Sequence, residues 1–245
     1  MSQLVDVEAA KEFMKETLEM VAPEILIAIA SDLEVKSGLF KTMLQKDKIM
    51  NLSDEELTHV LDQIFSIRRK VDKVYKVVSP QDLKTYIFNL LYDNKEIKER
   101  FQDFHDNLGE LETGLKCDVA GEILHFTMPD KYWLWGRWMW DPKVKTGAIP
   151  LLTTDDFDME ASTEGDMYMM VGKGVAFIHS IAEAVEFQFI SRSLFGTDVY
   201  MSCVYVIYAY TVLRMRMTQE FNKVMPNLSE FSRRLLGVLK VKMAA

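Results

Sequence analysis

The sequence predicts a mainly α fold, a multi-helix globular domain whose irregular Trp-rich central segment holds a small β element. Three observations carry that expectation. With 49% hydrophobic residues, 27% charged residues and six prolines in 245, the composition is that of a chain with a packed core. Apolar residues recur at three- and four-residue steps through residues 1–108 and again after Gly174, the period of helices that bury one face. Between Gly109 and Gly174, glycines, prolines, acids and aromatics replace that period. No proline- or glycine-rich linker divides the chain, so 1–245 reads as a single helical domain, with 1–108 and 109–245 as its natural subdomains.

Pro23 suits the first turn of a helix through Ile25, Leu26 and Ile29, where a missing N–H costs nothing. Ser31 and Glu34 have capping-box spacing and predict a second start there. The sharpest signal is Ser53 with Glu56 three residues on, flanked by Leu52 and Leu57 at the two positions of a hydrophobic staple. From there Leu57, Val60, Leu61, Ile64, Ile67, Val71, Val74 and Val78 predict one stripe along one long helix. Ser79 and Pro80 open the next helix, and Asn94 caps one that reaches about Leu108.

A short helix is expected over 116–126, ended by Pro129. Extended segments are expected at 148–152 and 167–171, and Gly172-Lys173-Gly174 then reads as the turn into a helix over 175–193. Further helices are expected over 198–224 and 227–236. Asn227 and Glu230 start the last one and Gly237 closes it.

Charge and leader signals bound the function. A net charge of −8 and a pI near 5.1 make the average field repel polyanions. Cys117 and Cys203 stand alone, outside any metal-ligand spacing. Residues 1–10 carry Asp6 and Glu8 and lack a basic-then-apolar run, so no leader is expected. The uncharged stretch 199–213 falls short of the ~18 residues a membrane span needs and reads as a buried helix. A cytoplasmic protein without membrane insertion is therefore expected.

Four constellations are candidates for function. All four tryptophans, Trp133, Trp135, Trp138 and Trp140, lie within eight residues around Arg137. Indole faces make large rigid contacts and Arg137 adds a donor for an acid or phosphate, so these five are the candidate binding residues. The competing reading makes the indoles a plug between helical layers.

Glu56 with His59 and Glu122 with His125 are two Glu-x-x-His pairs. In some four-helix bundles two such pairs help hold a di-iron or di-manganese site, with a residue such as Glu183 or Glu186 as a further ligand. Basic residues cluster at Arg68, Arg69, Lys70, Lys73 and Lys76, and at Arg214, Arg216, Arg233 and Arg234, which raises nucleic acid as a partner. A helix C-terminus explains the first cluster more cheaply. The acidic run from Asp155 to Asp166 fails the EF-hand pattern, with Ala161 at the glycine position and Met167 at the glutamate position.

The leading expectation is a non-enzymatic interaction or adaptor protein that binds another protein through an aromatic surface supported by its sixteen methionines. A di-metal oxidoreductase and a nucleic-acid-associated helical protein are the alternatives.

Overall fold

The computed structural model describes residues 4–184, 193–216 and 227–239. It is mainly helical, and the regular strands expected at 148–152 and 167–171 are not formed. The β content among the described residues is two isolated bridges, Val5 with Thr153 and Asp141 with Thr146. No helix among the described residues is long and apolar enough to cross a membrane.

The chain forms two compact units, each assembled from separate stretches: Met1–Glu34 with Trp138–Phe157 and Gly174–Ala245, and Val35–Arg137 with Asp158–Lys173. In the first, α1 (Val7–Met20) is capped by Asp6, whose carboxylate accepts from the Ala9 N–H at 2.9 Å. It packs on α9 (Gly196–Arg216), where the Tyr200 hydroxyl donates to the Ala10 carbonyl at 2.7 Å. Helix α9 is buried from Val199 to Val204, as its uncharged sequence requires. Helix α10 (Leu228–Leu235) starts on Asn227, which accepts from the Glu230 N–H, and stops at Gly237 with φ of 75°. Both signals were visible in the sequence.

Helix α2 (Pro23–Met43) runs unbroken through Ser31, so the expected second start is not used. In the second unit, Ser53 and Glu56 complete a reciprocal capping box at the start of α3 (Asp54–Leu61). The long helix expected over 57–78 stops there. Residues 62–70 form consecutive turns before the short α4 (Val71–Tyr75), with bonds such as Ile64 N–H to Leu61 C=O and Lys70 N–H to Ile67 C=O. The apolar stripe from Leu57 to Val78 is buried all the same. Leu61, Ile64 and Ile67 recur every three residues, so i→i+3 turns keep them on one side.

Helix α5 (Pro80–Tyr92) begins on Ser79, and α6 (Ile97–Asn107) begins at Glu96, two residues past the expected Asn94 cap. Helix α7 (Thr113–Thr127) is the core element of this unit, buried from Leu115 to Thr127.

Helix α8 (Glu164–Ala184) overturns two expectations, since Met167–Val171 is helical and Gly172-Lys173-Gly174 lies mid-helix. Its start was legible in Thr163 and Asp166, which make a capping pair: the Thr163 hydroxyl accepts from the Asp166 N–H at 3.1 Å and donates to its carboxylate at 2.8 Å. Gly172 is small because the Trp133 indole sits 3.1 Å from where a Cβ would stand.

Candidate functional site

Helix α7 and residues 133–137 after it form one polar and aromatic cluster in the second unit. Arg137 is tied inward: its backbone N–H donates to one Asp118 oxygen at 2.9 Å, its Nε and Nη2 to the other at 3.1 Å, and its Nη1 to Glu112 at 3.1 Å. A guanidinium so engaged is not a free receptor for an incoming acid or phosphate. Burial raises the Asp118 carboxyl above its ordinary range, and Arg137 opposes that rise.

The tryptophans divide by depth. Trp135 is 2% exposed and stacks on Phe101 at 5.5 Å, and Trp140 is 6% exposed. Trp133 and Trp138 are half-buried. Trp133 and Trp135 belong to the second unit and Trp138 and Trp140 to the first, with a turn over 137–139 in the chain between the two pairs. The backbone at Trp135 fits so closely on α7 that a Cβ on Gly121 would run into the Trp135 carbonyl oxygen.

The Glu-x-x-His pairs serve two unrelated structures. Glu56 closes the α3 capping box, and Glu56 and His59 are exposed. Glu122 is buried and bonds the Lys36 ammonium at 2.5 Å, while Lys36 lies 4.1 Å from the Phe126 ring centre. The His125 Nδ1 meets the Tyr132 carbonyl at 2.8 Å. Burial pushes the Glu122 carboxyl up to about 7, against the pull of Lys36. Among the described residues no three His, Cys, Asp or Glu side chains are placed to hold one metal ion. Among the described residues, then, Glu56 and His59 are not brought together with Glu122 and His125 in such a group. Glu186 and the Glu183 side chain lie outside the described residues.

The basic clusters also divide. Arg233 bonds Asp32 at 2.9 Å and Arg234 bonds Glu230, so both are used internally. The side chains of Arg214 and Arg216 lie outside the described residues. Arg68, Arg69, Lys70, Lys73 and Lys76 are different: none makes an ion pair among the described residues. With α3 ending at Leu61, these cations do not sit at the end of a long helix, and the dipole no longer accounts for them.

Phe65 is 42% exposed and Val77 44% exposed in the same stretch, with Arg69, Lys73 and Lys76 exposed between them. The Tyr75 hydroxyl anchors α4 to α3 through Thr58 at 2.9 Å; burial raises its pKa, and the nearby Asp54 and Asp62 add to the rise. Residues 65–77 carry these five bases and one acid, Asp72. Sequence reading found the cations but assigned them to a helix end, because the break after Leu61 has neither proline nor glycine to announce it.

Comparison of the chain with protein-family models, with curated proteins and with solved structures finds no match to any of them.

Proposed function

We propose that the chain is a non-enzymatic interaction protein that docks a partner protein on the stretch from Phe65 to Val77. The observation that carries this reading is the combination of five cations without an ion pair among the described residues and two exposed apolar side chains on a turn-rich segment. Arginine and aromatic anchors with a charged rim are the composition of protein interfaces. The partner surface that suits it is acidic around an apolar patch.

The chain's net charge of −8 favours a protein over nucleic acid, because its average field repels polyanions. The half-buried Trp133 and Trp138 remain in the proposal only as secondary contacts. The experiment is quantitative capture of partners from the native cell by the intact chain and by the Arg69→Glu/Lys73→Glu variant. We expect one protein, nuclease-resistant in its association, to be held by the native chain and lost by at least about tenfold in the variant, equivalent to about 1.4 kcal/mol. Capture that requires nucleic acid, or that the variant retains in full, overturns the reading.

A further inference from the structure

Arg100 of α6 is 8% exposed and carries its charge without a carboxylate in ion-pair range among the described residues. Its Nη1 donates to the Leu90 carbonyl at 2.6 Å and its Nη2 to the Tyr132 hydroxyl at 2.8 Å, while its buried Nε–H has no acceptor. A buried cation held by neutral oxygens alone is costly, and a counter-charge offsets that cost.

Arg100 also forms part of the wall of the cleft between α5 and α6. The cleft has a volume of about 310 Å³, at the lower end of the size of small-ligand sites. Asn89 and Asn107 line it with side-chain amides that make no bond among the described residues, and Phe104 gives it an apolar wall. At its rim Lys95 bonds Asp103 at 2.6 Å, and Asp93 stands beside them. The four charged groups sum to zero, so a bare anion would meet Asp93 and Asp103, and a bare cation would meet Arg100 and Lys95.

We propose that this cleft binds a small zwitterion of the free amino-acid type, its carboxylate toward Arg100 and its ammonium toward Asp93 and Asp103. The carboxylate supplies the counter-charge that Arg100 lacks among the described residues, and the ammonium pairs with Asp93 and shares Asp103 with Lys95. This site is independent of the Phe65–Val77 stretch.

The test is titration calorimetry and thermal shift on the full chain with each proteinogenic L-amino acid in turn, with acetate and methylammonium as half-ligands. At least one amino acid is expected to bind saturably and raise the melting temperature, while neither half-ligand does. Asp103→Asn, at the half-exposed rim where folding is not at stake, is expected to weaken binding by about tenfold or more, or 1.4 kcal/mol. The proposal is overturned if no amino acid binds, if acetate binds as well as any amino acid, or if Asp103→Asn leaves the affinity unchanged.

Discussion

Trp135 shows how a residue singled out as a binding group comes to act as a core group. Its indole stacks on Phe101 and the residue is 2% exposed, while its backbone packs on α7 at Gly121. Trp135→Ala is therefore expected to destabilise the protein by about 3–5 kcal/mol in chemical denaturation, and an effect under 1 kcal/mol would show that the cluster is not packed as described. Gly121→Ala tests the backbone contact of Trp135 on α7. The new methyl meets a backbone carbonyl that cannot swing away, so a loss of stability is expected where a helix interior would otherwise gain from alanine.

Glu122 supplies a pH test. Burial raises its carboxyl from 4.5 to about 7 in the folded chain, so the folded state binds the proton more tightly than the unfolded one. The stability from this group is fully present below 4.5 and is lost as pH rises through about 7. Asp118, raised by burial as well, contributes with the same sign. Glu122→Gln is expected to flatten the dependence of unfolding free energy on pH across that window. An unaltered slope would mean that the Lys36 pair holds the carboxylate ionised throughout.

At the scale of elements, the sequence was readable where a single residue starts or stops a helix. Ser53, Ser79, Asn227 and Gly237 each do in the structure what their chemistry predicts. It was misread where tertiary packing decides between two periodicities. Leu61, Ile64 and Ile67 fit a helix loosely and consecutive i→i+3 turns closely, and both would bury the same side chains. The apolar run Met167–Val171 is short enough for a strand, and only Thr163 with Asp166 marks it as the first turns of α8. The break after Leu61 matters for function, since it moves Arg69, Lys73 and Lys76 from a helix end to an exposed stretch with Phe65 and Val77. Arg69→Glu/Lys73→Glu is expected to change stability by no more than about 0.5 kcal/mol, as surface substitutions do, so loss of partner capture would report docking.

For the whole molecule, composition and periodicity were sufficient for the fold class, because both follow from the apolar area a chain must bury. The candidate sites were legible only as residue types. Whether a charge is free depends on neighbours distant in sequence: Arg137 is consumed by Asp118 and Glu112, Arg233 by Asp32, and Arg100 has no acid in ion-pair range among the described residues. A net charge of −8 makes the exposed basic stretch a local feature, acting within a Debye length of about 8 Å at physiological salt.

The most direct measurement is site-specific photo-crosslinking in the native cell, with the crosslinker placed in turn at Phe65, at Val77 and at the exposed control position Val144. The account predicts that Phe65 and Val77 both crosslink one common protein and that Val144 does not. Crosslinks to nucleic acid, or the same products from Val144, would contradict it.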